Sequence, residues 1–90
     1  MALDTMNPKQ LVDAANKWHH YCMNRAWVRT GSIDIRQLAN NRLVKGIEIF
    51  GDELFREWKT ERVFQEIDEE IADMRNYFLR IVLDSEGLLK

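Results

Sequence analysis

Apolar residues recur at helical spacing along most of this chain, and the last stretch is the most regular. Val63, Ile67, Ile71, Met74, Phe78 and Ile81 follow intervals of 4, 4, 3, 4 and 3. That repeat lays side chains along one face of a helix. Phe64 and Val82 extend it. The pattern predicts a helix over about 60–84 with a continuous buried seam, capped by Thr60 and ended before Gly87. A second stretch begins at Asn7-Pro8, where Asn can cap free N–H groups and Pro suits the first helical position. Leu11, Ala15, Trp18, Cys22 and Trp27 carry it to about residue 29, ahead of Thr30-Gly31-Ser32. A third, with Ile35, Leu38, Ala39, Leu43 and Ile47 or Phe50, predicts a helix over 34–50. Ser32 or Asp34 would cap it, and Gly51 would end it through a left-handed backbone. Residues 52–59 predict a short helix or structured loop pinned by Leu54, Phe55 and Trp58, and residues 1–6 a flexible leader.

The fold class is therefore all-α: one domain, an antiparallel helical hairpin or bundle of three to four helices, completed by oligomerisation. The last clause comes from size. Ninety residues bury a modest core, and Trp18, Trp27 and Trp58 crowd it. A core shared between copies accommodates them, with Trp18 inside and Trp27 and Trp58 at an interface or pocket wall. No apolar run approaches the roughly 20 residues of a membrane span. Cys22 is the lone cysteine, and no signal-peptide pattern opens the chain. Both point to a cytoplasmic location.

Charge is unevenly distributed. Residues 1–45 hold seven Lys/Arg and three Asp/Glu, whereas residues 46–90 hold six and twelve. Two readings follow: a basic half packs against an acidic half, or the acidic part takes a divalent cation and the basic part a phosphate. The basic excess is too small to favour a nucleic-acid partner.

The acidic residues concentrate on the last helix. Glu66, Glu69, Glu70 and Asp73 fall at three- and four-residue spacings beside the apolar seam. Arg62 can reach Glu66, but Glu69, Glu70 and Asp73 have no cation one turn away. Like charges at such spacing cost a few tenths of a kcal/mol per pair. Arg25, Arg29, Arg36, Arg42 or Lys45 from another helix could neutralise them. So could Mg²⁺, which prefers carboxylate oxygens and phosphate.

The segment Glu66-Ile-Asp-Glu-Glu-Ile-Ala-Asp-Met-Arg-Asn-Tyr77 resembles the last helix of the MazG-like all-α nucleotide pyrophosphohydrolases. Gly51-Asp52-Glu53-Leu54-Phe55 followed by this helix is similar to small phage-encoded MazG-like proteins. The resemblance covers residues 51–83. It implies Mg²⁺ on Glu70 and Asp73, with Glu66 and Glu69 as catalytic or water-orienting groups. It places Asn76 and Tyr77 against base, sugar or phosphate, with a nucleotide or nucleotide-derived small molecule as partner. A phage origin would imply the host cytoplasm. The family's upstream Glu-Glu-x-x-Glu has no counterpart here; Glu48, Asp52, Glu53 and Glu57 are nearest and none reproduces it. Enzyme status stays open. The leading expectation is a Mg²⁺-dependent nucleotide-binding protein that could hydrolyse between the α and β phosphates. Two alternatives remain: a helical oligomer that sequesters a nucleotide or cyclic-nucleotide signal without catalysis, and a helical protein-interaction module.

The remaining reactive residue types read as structural. His19 and His20 are adjacent and point about 100° apart on a helix, so they cannot easily share one ion. Cys22 sits on an apolar stripe and reads as a buried, inert thiol. The glycines are isolated and form no phosphate loop.

Overall fold

The computed structural model describes residues 6–87, which form four helices: α1 (Pro8–Ser32), α2 (Ile35–Phe50), α3 (Glu53–Arg56) and α4 (Thr60–Ser85). The chain is all-α.

Local chemistry sets the ends. Asn7 Oδ1 accepts from the Gln10 backbone N–H at 2.8 Å, and the Asn7 N–H donates to Gln10 Oε1 at 2.9 Å. This reciprocal pair satisfies two backbone donors at the start of α1. Asn7→Ala should cost about 1 kcal/mol. In a domain of this size that is a fall of roughly 4–8 °C in Tm, readable in a thermal melt; no change would remove the box from the list of stabilising contacts. The α1 helix runs to Ser32 rather than stopping near residue 29. Thr30 Oγ1 donates to the Trp27 carbonyl at 2.7 Å and Ser32 Oγ to the Arg29 carbonyl at 2.9 Å, so hydroxyls satisfy the last turn across Gly31.

Asp34, not Ser32, caps α2, accepting from the Gln37 N–H at 3.1 Å. Gly51 closes α2 at φ 79°, its N–H bonded to the Ile47 carbonyl. The short helix spans only Glu53–Arg56. Thr60 is the first residue of α4 rather than its cap; Lys59 holds the cap position without a side-chain bond. Gly87, at φ 75°, lies just past the end of α4.

The α1 and α4 helices pack antiparallel around Ala15, Cys22, Leu79, Val82 and Leu83, with Leu11, Ala14, Trp18 and Phe78 against them. This corrects the expected seam. The α4 helix buries Leu79, Val82 and Leu83, while Ile67, Ile71 and Ile81 remain about 45% exposed. Small residues explain the choice: Ala15 and Cys22 let α1 approach the large residues of α4 closely. The α2 helix has no buried residue. The radius of gyration is 16.5 Å, against about 12 Å for a compact domain of this length. Among the described residues, no helix is long and apolar enough to cross a membrane.

Candidate functional site

The open face of α4 forms one wall of a groove of about 540 Å³. Ile67, Ile71 and Met74 make its floor, and Glu66, Glu70 and Tyr77 border it. The helical repeat explains the selection. Glu66 and Glu70 are one turn apart, and both lie next to the seam. Glu69 and Asp73 lie further round the helix and do not line the groove. Asn76 lies outside it too; its Oδ1 accepts from Arg75 Nε at 2.9 Å. Of the six residues singled out from the sequence, the fold thus gathers Glu66, Glu70 and Tyr77 and leaves Glu69, Asp73 and Asn76 on the exposed flank.

A second groove of about 480 Å³ opens between α2 and α3. Phe50, Phe55 and Trp58 supply ring faces, Arg42 a guanidinium and Glu53 a carboxylate. Leu54 lines both grooves, so the two lie side by side. Sequence reasoning noticed Leu54, Phe55 and Trp58 but not the groove. Gly51, at φ 79° and ψ −169°, ends α2 immediately before α3 begins at Glu53, a backbone that glycine adopts without a Cβ clash.

Arg62 does not pair with Glu66 as its spacing suggested. Its guanidinium sits over the Trp58 ring, 3.6 Å from the centroid, where the ring quadrupole attracts it. The described ion pairs are Lys9–Asp13, Arg56–Asp52 and Arg80–Asp84. Among the described residues, no Lys or Arg pairs with Glu66, Glu69, Glu70 or Asp73, and Arg25, Arg29, Arg36, Arg42 and Lys45 stay off the stripe.

Among the described residues, no three of His, Cys, Asp and Glu cluster closely enough to hold a metal ion. Glu70 and Asp73, one turn apart, are a pair and no more within one chain. Mg²⁺ commonly takes one or two carboxylates and fills its shell with water and substrate phosphate, so a pair meets the minimum.

A third groove, between α1 and α4, holds His19, Asp68 and Arg75. Arg75 Nη1 lies 3.5 Å from both the Ala15 carbonyl and His19 Nδ1. Arg75 thus ties the two helices beside the core. His19 and His20 meet edge to face, with ring centroids 5.4 Å apart. Cys22 is fully buried.

Comparisons with family models, with curated proteins and with solved structures found no match to this chain.

Proposed function

We propose that this chain is a MazG-like helical protein that binds a phosphorylated nucleotide across the two neighbouring grooves of α2, α3 and α4. One observation carries the reading. Two neighbouring grooves bring aromatic ring faces, a guanidinium and three carboxylates without ion-pair partners among the described residues, Glu53, Glu66 and Glu70, onto one side of the chain. The volume of each falls in the range of small-molecule sites, which are mostly apolar with a few polar groups that orient the ligand. Phe50, Phe55 and Trp58 offer stacking surfaces for a base, and Arg42 a partner for phosphate.

Glu70 on the groove's border and Asp73 on the flank beside it would hold Mg²⁺ at the rim rather than inside the groove; the ion when bound polarises phosphate and acidifies water. Of the two candidate general bases, Glu66 lines the α4 groove and Glu69 does not. Glu66 is therefore the better placed to take a proton from an attacking water. Binding is the proposal; hydrolysis is not claimed, because the second acidic motif is missing.

Calorimetric titration with nucleoside triphosphates and cyclic dinucleotides, with and without Mg²⁺, tests this. The expected result is Mg²⁺-dependent binding, weakened at least about tenfold in Glu70→Ala and in Trp58→Ala, the loss of a charged contact or of base stacking. Binding that ignores Mg²⁺ and survives Glu70→Ala would shift the reading to sequestration without catalysis. Absence of binding in every condition would leave a second reading, a helical protein-interaction module. That reading draws on the open α4 seam, a form suited to receiving another helix.

A further inference from the structure

We infer that the groove between α1 and α4 binds a small dipolar molecule, one that carries a carboxylate and an ammonium at opposite ends of a short methylene chain. The inference is independent of the nucleotide reading. This groove shares only Ile71 with the α4 groove and no residue with the aromatic one.

The groove, of about 450 Å³, carries opposite charges at its two ends. Arg75 stands at one end and Asp68 at the other, both on α4. They are seven residues apart, close to two whole helical turns, so both leave the helix on the same side, about 10 Å apart along its axis. Among the described residues neither has an ion-pair partner. The α1 helix runs antiparallel and sets His19 at the Arg75 end. Met23, one turn further along α1, then lies towards the Asp68 end and, with Ile71, makes an apolar middle.

Arg75 is held in place without being neutralised. It is half-buried. Its Nε donates to Asn76 Oδ1 at 2.9 Å, and its Nη1 lies 3.5 Å from the Ala15 carbonyl and from His19 Nδ1. None of these partners carries a negative charge, and the two longer contacts are at the limit of hydrogen bonding. A guanidinium makes its strongest hydrogen bonds to an anion, bidentately to a carboxylate. Asp68 has no cation from α1 to answer it either. Lys17 and Arg25 sit over the rings of Trp18 and Tyr21 instead, 5.3 and 5.7 Å from the centroids.

The two ends together select the occupant. A simple anion would satisfy Arg75 but share the groove with Asp68, and a simple cation would satisfy Asp68 but share it with Arg75. A molecule with both charges, ordered opposite to the groove, answers each end. Its methylenes then cover Ile71 and Met23, the mostly apolar lining with a few orienting polar groups that small-molecule sites have.

Calorimetric titration of the full chain with ε-aminocaproate, caproate and hexylamine tests this. The dipolar compound should bind at least about tenfold more tightly than either of the others, since each lacks one charge-assisted contact. Asp68→Asn should weaken ε-aminocaproate about tenfold, to the level of caproate, and should not weaken caproate itself. Asp68 is exposed and outside the α1–α4 core, so far-UV circular dichroism should still report helix. Glu61→Gln, which removes an exposed α4 carboxylate outside the groove, should leave all three affinities unchanged. Amide shifts in nuclear magnetic resonance should centre on His19, Met23, Asp68 and Arg75. Equal binding of the three compounds would overturn the inference. So would no binding of ε-aminocaproate up to the millimolar range, or an advantage for it that survives Asp68→Asn. A chain that binds ε-aminocaproate but no nucleotide would sink the nucleotide reading and leave this one standing.

Discussion

Leu83→Ala is expected to lower the unfolding free energy by about 3 kcal/mol, within the range measured for emptying a buried leucine site. Leu83 is 2% exposed and packs with Ala15, Cys22, Leu79 and Val82. Ala15 and Cys22 on α1 are too small to fill the space, although Leu11 and Trp18 pack beside them from the partly buried edge. A domain of this size has roughly 5–15 kcal/mol to lose. The single truncation therefore removes a large share, and a marginal chain would unfold before body temperature. The reference is Val12→Ala, on the same hairpin but 56% exposed, where a change within about 0.5 kcal/mol is expected. Denaturant titration of both variants decides the matter. A Leu83→Ala cost below that of Val12→Ala would mean that the Ala15–Leu83 cluster is not what holds α1 to α4.

The helices were legible in the sequence for specific reasons. Asn7-Pro8, Gly51 and Gly87 are residues whose backbone chemistry forces starts and stops, and each sits at a helix end. Boundaries that rest on weaker signals moved. Thr30-Gly31-Ser32 reads as a break, yet two hydroxyls bond back to the helix and carry α1 through it. Thr60 reads as a cap, yet Lys59 precedes the helix with an extended backbone and Thr60 is helical.

What the spacing in α4 could not give is the direction of packing. Its apolar residues cover more than one face, and periodicity finds a stripe without saying which flank meets a neighbour. The answer lay in α1, whose small residues fit Leu79, Val82 and Leu83 and leave Ile67 and Ile71 open. The site was legible to the same depth. Spacing puts Glu66 and Glu70 beside the seam, and the groove collects both with Tyr77. The aromatic groove was not, because it depends on how the chain passes from α2 through Gly51 into α3, which spacing does not give. Nor could spacing foresee that Arg62 prefers the face of Trp58 to Glu66.

The second large expected effect concerns Cys22, whose thiol should resist labelling in the folded chain. Its side chain is fully buried in the contact between α1 and α4. A disulfide reagent needs both access and thiolate, and the fold withholds each. Burial pushes the thiol up from its ordinary 9.0, and the nearby charges of Arg75 and Arg25 only partly oppose it. At pH 8 labelling should run at least on the order of a hundredfold slower than in denaturant, because it waits on opening of the hairpin. Rapid stoichiometric labelling in native buffer would show that the α1–α4 contact is not closed around this residue. The same shift has a consequence for stability, and its sign is fixed. The folded chain keeps the proton at pH values where the unfolded chain has begun to lose it, so ionisation favours the unfolded state. Stability from this group is intact below pH 9.0 and falls as pH rises from there towards the higher folded value. Comparison with Cys22→Ala isolates the effect from other groups that titrate in the same range. The wild type should lose stability faster than the variant above pH 9, and parallel curves would mean that the thiol ionises equally well in both states.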